Sequence, residues 1–144
     1  MPAAMTLLEL NLRAAGASQL LLALLHLSFS RRFNWAGELA RLSLLNRQIF
    51  YVHTFFVALV VAGMGVLSLV GTAALLATGP LVGWVAGGCA LFWLCRLYCQ
   101  FFYYDADLWR GNRFNTTVHV LFAALWSWYS LTYAWLFAHS QLLF

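Results

Sequence analysis

The sequence predicts an all-α integral membrane protein: a bundle of four transmembrane helices, with a short interfacial amphipathic helix between the first two spans. Hydrophobic residues make up 64% of the 144 residues and charged residues only 8%, whereas soluble domains carry about 25% charged residues. In addition, four long stretches are almost free of charge, and each approaches the roughly 20 residues that cross a bilayer. We therefore expect the lipid bilayer to surround a single transmembrane domain over residues 1–144.

The first span is predicted over residues 10–30, where an apolar run ends at Arg31 and Arg32. The following segment, residues 34–46, alternates apolar and polar residues at helical spacing. Four of its apolar side chains can share one face, namely Trp35, Leu39, Leu42 and Leu45. Such a face beside several arginines is typical of a helix that lies in the membrane interface. The alternative is a plain polar connector.

The second span is predicted over residues 48–74. This stretch is longer than one crossing requires, so we expect the helix to tilt or to extend beyond the membrane. The sequence Thr78-Gly79-Pro80 marks the break that follows, because proline cannot continue a helix and glycine allows a turn.

The third and fourth spans are predicted over residues 81–104 and 115–138. A polar loop, residues 105–114, separates them. Asn115 and Thr116 follow this loop directly, and side chains of this type often cap the first turn of a helix. We therefore expect the fourth helix to begin at this pair.

The distribution of arginine predicts how the spans are oriented. All eight basic residues are arginine, and six of them lie in two loops, residues 31–47 and 105–114. The positive-inside rule places both loops in the cytoplasm and both termini outside, and we expect the membrane to be a bacterial inner membrane. Because these arginines flank apolar spans, they do not indicate nucleic-acid binding.

Small residues predict which helix faces pack together, because membrane helices associate through close packing. Gly83 and Gly87 form a GxxxG pattern in the third span, although this pattern also occurs often by chance. Two further faces carry small or polar residues: Gly16, Gln19, Ala23 and His26 in the first span, and Ala123, Ser127, Ser130 and Ala134 in the fourth.

Three histidines on three different spans are predicted at one depth. His26, His53 and His119 each lie a few residues inside the cytoplasmic end of a span, which places them roughly 6–8 Å below the boundary. Gln100 in the third span falls at a similar level, and Arg96 lies one turn deeper. Ionisable residues inside a membrane are costly and usually functional. These five residues therefore form the candidate polar site.

Arg96 is the most costly of the five, because its guanidinium cannot lose its charge. Asp105 and Asp107 are the candidate charge partners, and a bound anion is the alternative. The long side chain can also extend towards the cytoplasmic boundary, where water is available.

Three functions are compatible with these residues. The favoured one is a small non-catalytic subunit, anchor or scaffold of a membrane assembly, in which the polar side chains join helices by hydrogen bonds. The first alternative is a redox subunit in which His26, His53 and His119 bind a metal ion, or two of them a b-type haem, because neutral imidazole is a common metal ligand. The second alternative is binding of a lipid or a small anionic ligand beside Arg96.

Overall fold

A computed structural model describes residues 6–141 of the chain. Within this range the structure consists of helices and turns, without a strand. Four helices are long and apolar enough to cross a membrane, as the sequence predicts. They are α1 (Leu7–Arg32), α2 (Leu44–Val70), α3 (Pro80–Tyr98, continued by a π-helical turn at Cys99–Tyr103) and α4 (Arg113–Gln141).

The four helices pair into two compact units. One unit, within Met1–Thr72, contains α1 packed on α2, and the other, within Ala73–Phe144, contains α3 packed on α4. A short connection joins the two helices of each unit, so each pair is an antiparallel helical hairpin.

The first hairpin depends on two glycines. A Cβ atom on Gly16 of α1 would lie 2.7 Å from the Gly65 carbonyl oxygen of α2, and a Cβ on Gly65 would lie 2.9 Å from the Gly16 oxygen. The two backbones therefore touch, as they do where small residues let membrane helices approach closely. Gln19 and Ala23, which share the predicted packing face with Gly16, are buried as well.

The start of α1 is fixed by a capping box. The Thr6 hydroxyl accepts a hydrogen bond from the Glu9 backbone N–H at 3.2 Å, and the Glu9 carboxylate accepts one from the Thr6 N–H at 2.8 Å. Such reciprocal bonds satisfy N–H groups at the end of a helix. The helix therefore begins three residues before the predicted start of the span at residue 10.

The connector between α1 and α2 differs from the predicted amphipathic helix over residues 34–46. It consists of a one-turn α-helix, Trp35–Glu38, and a 3₁₀ turn, Leu39–Arg41. The Ser43 hydroxyl then accepts a hydrogen bond from the Asn46 N–H at 3.4 Å, so α2 already begins at Leu44, before the predicted residue 48. The capping serine divides the segment, and the four apolar residues do not share one helix. Trp35 instead packs edge-on against Phe50 of α2, at 4.7 Å between ring centroids.

The second helix also ends earlier than predicted. It stops at Val70 rather than at residue 74, and a separate one-turn helix follows at Thr72–Leu75. Gly79 then adopts a φ of +145°, which side chains other than glycine rarely tolerate, and Pro80 occupies the first turn of α3. The predicted break at residues 78–80 is therefore confirmed.

The second hairpin packs through the GxxxG pattern of α3. A Cβ on Gly83 would contact Gln141 and would lie 2.9 Å from the Ser140 hydroxyl oxygen, whereas one on Gly87 would lie 3.1 Å from the Phe137 ring. These contacts join the start of α3 to the end of α4. The pattern thus marks a packing face in this chain.

The helix α4 begins at Arg113, two residues before the predicted cap. The Asn112 side chain accepts a hydrogen bond from the Asn115 N–H at 3.1 Å and so acts as the N-cap. Asn115 and Thr116 instead donate from their side chains to the Leu108 and Trp109 carbonyl oxygens, at 2.8 and 2.9 Å. These two bonds tie the loop to the first turn of α4.

Candidate functional site

The second hairpin brings together three of the five predicted site residues. Arg96 comes from α3, Gln100 from the π-helical turn and His119 from α4. Trp126, which is also on α4, is the fourth member of this cluster. The other two, His26 and His53, belong to α1 and α2 of the first hairpin.

Gln100 is the centre of the network in the second hairpin. Its side chain is 5% exposed and lies in the turn where the Tyr104 N–H bonds to the Cys99 carbonyl, five residues back. Single π-helical turns of this kind are frequent at functional sites. The Gln100 amide contacts Arg96 at 3.3 Å, Trp126 at 3.2 Å and His119 at 2.7 Å.

The partners of Gln100 determine which way its amide faces. The Arg96 guanidinium and the Trp126 indole N–H are donors only, and both point at Oε1 of Gln100. Oε1 is therefore the acceptor, and the amide nitrogen, Nε2, must donate to Nδ1 of His119. Since Nδ1 accepts this bond, the proton of the neutral His119 ring resides on Nε2.

Aromatic contacts fix the position of the His119 ring. The Trp109 ring of the loop stacks on it, with centroids 3.9 Å apart and an angle of 26° between the planes. Phe101 contacts the ring edge-on at 6.0 Å. The hydrogen bond from Gln100 completes a set of contacts from three residues, so the ring is held in one orientation and its Nε2–H direction is defined.

Arg96 lies between aromatic faces rather than beside a carboxylate. Its Cζ atom is 5.0 Å from the centroid of the Trp126 ring and 5.5 Å from that of Tyr104. Each such cation–π contact contributes about 0.5–2 kcal/mol, depending on exposure to solvent. The Trp126 ring is itself held by stacking on Trp93 at 5.1 Å and on Phe122 at 5.2 Å. The guanidinium therefore has a rigid platform.

The predicted charge partners of Arg96, Asp105 and Asp107, have other contacts. Asp107 pairs with Arg110 at 3.7 Å, and the Asp105 carboxylate accepts a hydrogen bond from the Asp107 N–H at 2.9 Å. Both lie in the exposed loop, because the helix ends at Tyr103 and no longer carries them along the Arg96 face. Among residues 6–141, no carboxylate lies within 4.0 Å of the Arg96 guanidinium.

A buried donor lies one turn before Arg96. The Trp93 side chain is 1% exposed, and its Nε1–H has no hydrogen-bond acceptor in the described part of the chain. The ring stacks on the same Trp126 indole that Arg96 covers. With the Trp93 Nε1–H and the Arg96 guanidinium, this region of the hairpin therefore has more hydrogen-bond donors than acceptors.

The histidines of the first hairpin carry their protons differently. Nδ1 of His26 lies 2.8 Å from the Leu22 carbonyl oxygen, and Nδ1 of His53 lies 2.9 Å from the Ile49 carbonyl oxygen. A carbonyl can only accept, so both neutral rings carry the proton on Nδ1 and keep a lone pair on Nε2. Metal-binding histidines commonly have this arrangement, with the second nitrogen bonded to a carbonyl.

These two histidines also lie at similar levels of their hairpin. Counted from the contact between Gly16 and Gly65, His26 is about 15 Å along α1 and His53 about 18 Å along α2, in the same direction because the helices are antiparallel. His26 is half-buried and His53 exposed. The Nε2 lone pairs of His26 and His53 thus lie at nearly the same level of the first hairpin.

The predicted three-histidine metal site finds no counterpart in this geometry. Within residues 6–141, no group of three His, Cys, Asp or Glu side chains is arranged to hold a metal ion. His119 moreover carries its proton on Nε2 and already uses its Nδ1 lone pair for Gln100. A metal ion shared by all three histidines stays a prediction, and it would require His119 to give up this bond.

Trp109 and Trp126 were not among the predicted site residues, because aromatic residues make up 17% of the chain and most of them lie in or near the spans. One signal was available for Trp126. It follows His119 by seven residues on α4, and Gln100 follows Arg96 by four on the facing helix, so each pair lies on one helix face.

Comparisons of the chain with protein-family models, with curated proteins and with solved structures found no match.

Proposed function

We propose that this chain is a small non-catalytic membrane protein that binds an anionic ligand at Arg96, near the cytoplasmic end of the second hairpin. The observation that carries the proposal is the environment of the guanidinium, which is half-buried in an apolar helix and contacts only neutral groups. In this proposal the four helices form one bundle in a bacterial inner membrane, as a subunit, anchor or scaffold of a larger assembly.

The energetics of a buried charge support an anion at this position. A guanidinium at the centre of a membrane costs at least about 2.5–3.5 kcal/mol. Arg96 lies nearer the boundary and bears part of this cost, which it cannot avoid by losing its proton. Gln100 and the two aromatic rings stabilise the charge but do not neutralise it. The described contacts leave most of the five guanidinium N–H donors available. An anion would use these donors and cancel the charge.

The position of Arg96 along α3 also fits a ligand from the membrane boundary. The residue lies about 10 Å along the helix axis from Tyr103, where the helix ends. The loops that the positive-inside rule assigns to the cytoplasm, residues 31–47 and 105–114, carry six of the eight arginines. These positive charges would raise the local concentration of anions at that face.

The experiment measures binding of an anionic lipid to the purified protein by native mass spectrometry, with phosphatidylglycerol as the probe and phosphatidylcholine as the neutral reference. Arg96→Gln removes the charge, and we expect it to weaken phosphatidylglycerol binding by about tenfold to a hundredfold, the loss of one or two charge-assisted hydrogen bonds. Arg96→Lys keeps the charge but loses the planar fork, so an intermediate loss is expected.

The matched control is Arg13→Gln, which removes an exposed arginine from the opposite predicted side of the membrane. It should leave phosphatidylglycerol binding close to that of the unchanged protein. Equal losses in Arg13→Gln and Arg96→Gln would mean that overall charge, not a site, attracts the lipid. Unchanged phosphatidylglycerol binding in Arg96→Gln would refute the proposal.

A second candidate function, haem binding by His26 and His53, is favoured by the free Nε2 lone pairs of both rings. Neutral imidazole with Nδ1–H bonded to a carbonyl is suited to axial ligation of iron. The test is an optical spectrum of the detergent-purified protein after addition of haemin. A shift of the haemin Soret band that is lost in His53→Ala and persists in His119→Ala would support it. A spectrum of unbound haemin in the unchanged protein would exclude it.

A further inference from the structure

From the hydrogen bonds of Gln100 we infer that the second hairpin contains a pH switch: when His119 takes up a proton, the side-chain amide of Gln100 turns over and releases Arg96. The switch itself depends on contacts among the chain's own residues. Its effect on ligand binding rests on the proposed function.

Protonation of His119 conflicts with the hydrogen bond that its ring makes. In the neutral ring, Nδ1 accepts from the amide nitrogen of Gln100 at 2.7 Å. The added proton resides on Nδ1, so both ring nitrogens become donors. Two N–H donors then face each other at hydrogen-bond distance. Since the Gln100 side chain is 5% exposed, water cannot easily replace the lost acceptor, and an unsatisfied buried donor is costly.

The amide of Gln100 resolves this conflict more easily than the ring does. The His119 ring stacks on Trp109 at 3.9 Å and contacts Phe101 edge-on at 6.0 Å. A positive charge on the ring strengthens the contact with Trp109, because an indole face attracts cations. The amide, in contrast, exchanges the positions of its oxygen and nitrogen by rotation about one side-chain bond, and this torsion is soft. The turned amide presents Oε1 to the new Nδ1–H of His119.

Turning the amide removes the acceptor of two other side chains at once. Arg96 Nη1 and Trp126 Nε1–H both donate to Oε1 of Gln100 in the neutral state, at 3.3 and 3.2 Å. After the turn they face the amide nitrogen, which can only donate. The charge on His119 also repels the guanidinium. Protonation of one ring therefore releases Arg96 from Gln100.

The groups around His119 offer the added proton no carboxylate. The charged or titratable side chains at this end of the second hairpin are Arg96, Cys99 and Tyr104 of α3 and the residues after it, Asp105, Asp107 and Arg110 of the loop, and Arg113 of α4. Among residues 6–141, no carboxylate oxygen lies within 4.0 Å of the His119 ring. The Gln100 oxygen is therefore the acceptor that the protonated ring can reach.

The other two predicted site histidines lack this device. Nδ1–H of His26 and of His53 donates to a backbone carbonyl oxygen, at 2.8 and 2.9 Å. A proton added to either ring goes to Nε2 and leaves these bonds in place. Of the three histidines, only His119 must therefore change its hydrogen bonding when it becomes charged.

The test follows the Trp126 indole N–H by NMR in protein labelled with ¹⁵N-tryptophan, and the His119 ring in protein labelled with ¹⁵N-histidine. The titration covers pH 5 to 8, where histidine ordinarily changes charge. We expect the Trp126 signal, assigned with Trp126→Phe, to move with the same midpoint as the His119 ring. A Trp126 signal that stays constant while His119 titrates would overturn the switch. A His119 ring that stays neutral down to pH 5 would also overturn it.

Two variants separate His119 from the other titrating groups. His119→Asn cannot take up a proton but keeps an acceptor near the Nδ1 position for Gln100, so its Trp126 signal should not depend on pH. The matched control is His53→Asn, which should keep the movement of the Trp126 signal. Movement that persists in His119→Asn, or disappears in His53→Asn, would mean that a different group causes it. If His119→Asn does not fold, the titration of the unchanged protein decides the question by itself.

The effect on ligand binding is measured by native mass spectrometry with phosphatidylglycerol at pH 5 and pH 8. The lipid phosphodiester keeps its charge over this range, whereas the protein gains a free guanidinium beside a charged ring. Binding should therefore be about tenfold tighter at pH 5, the gain of one charge-assisted hydrogen bond. This difference should disappear in His119→Asn and persist in His53→Asn.

The outcomes distinguish failure of the switch from failure of the proposed function. If the Trp126 signal responds to pH and phosphatidylglycerol binds at neither pH, the switch stands and the anion site is wrong. If the lipid binds through Arg96 and neither the binding nor the Trp126 signal depends on pH, the anion site stands and the switch is wrong. If the Trp126 signal responds and binding is the same at both pH values, the release of Arg96 is refuted.

Discussion

The contact between α1 and α2 can be tested by adding a single methyl group at Gly65. The new Cβ atom would lie 2.9 Å from the Gly16 carbonyl oxygen and 2.9 Å from Cγ of Leu20. Both distances are well inside van der Waals contact, and the carbonyl belongs to a helix backbone that cannot move without separating the hairpin. Overpacking of this kind typically costs about 1–3 kcal/mol. Alanine recovers up to about 1 kcal/mol, because it favours a helix more than glycine does.

Gly63 provides the matched control on the same helix. A Cβ atom there would meet nothing within 4 Å, so Gly63→Ala should gain only the helix-propensity term and become more stable by up to about 1 kcal/mol. The free energies of unfolding of Gly65→Ala and Gly63→Ala should therefore differ by about 1–3 kcal/mol. Far-UV circular dichroism during titration of mixed micelles with SDS measures both. Equal stability would refute the close crossing of α1 and α2 at these glycines.

Three further predictions concern the second hairpin and the topology. Gln100→Glu gives Arg96 a carboxylate, and His119 can keep its contact by moving its proton to Nδ1 and donating to that carboxylate. Phosphatidylglycerol binding in native mass spectrometry should therefore be lost while the thermal stability in detergent is kept. Trp126→Phe removes a hydrogen-bond donor to Gln100, and the free energy of unfolding should fall by about 1 kcal/mol in the SDS titration. Arg41→Cys and Arg113→Cys, in a chain without its native cysteines, should both resist a membrane-impermeant maleimide applied to intact cells; labelling of either one would contradict the predicted orientation.

The number and approximate position of the long helices could be predicted from the sequence, because the exclusion of charge from hydrocarbon is a strong constraint. The ends of the helices could not be predicted as well. Each end depends on a few hydrogen bonds, such as the Thr6 capping box or the Asn112 cap, whose energies are close to those of alternatives one turn away. The connector was predicted as a helix because its apolar spacing fits one, yet the cap at Ser43 divides it.

Part of the candidate site was also accessible from the sequence. Depth along the spans brought Arg96, Gln100 and His119 into one layer, and the structure joins these three by hydrogen bonds. The spacing of Trp126 from His119 puts both on one helix face, but its role depends on the direction of its indole N–H, which the sequence does not give. The carboxylates of the following loop were predicted as charge partners, whereas in the structure the helix ends in a π-helical turn and both carboxylates have partners within the loop.

The three histidines show why depth alone is a poor guide to function in a membrane protein. The rings of His26 and His53 each donate from Nδ1 to a carbonyl of their own helix, whereas His119 accepts at Nδ1 from Gln100. Residues of one type at one predicted depth thus present opposite atoms, a lone pair in the first hairpin and an N–H donor in the second. A lone pair suits a metal ion and a donor suits an anion. Haem binding and anion binding therefore use different residues in different hairpins, and evidence for one of them does not count against the other.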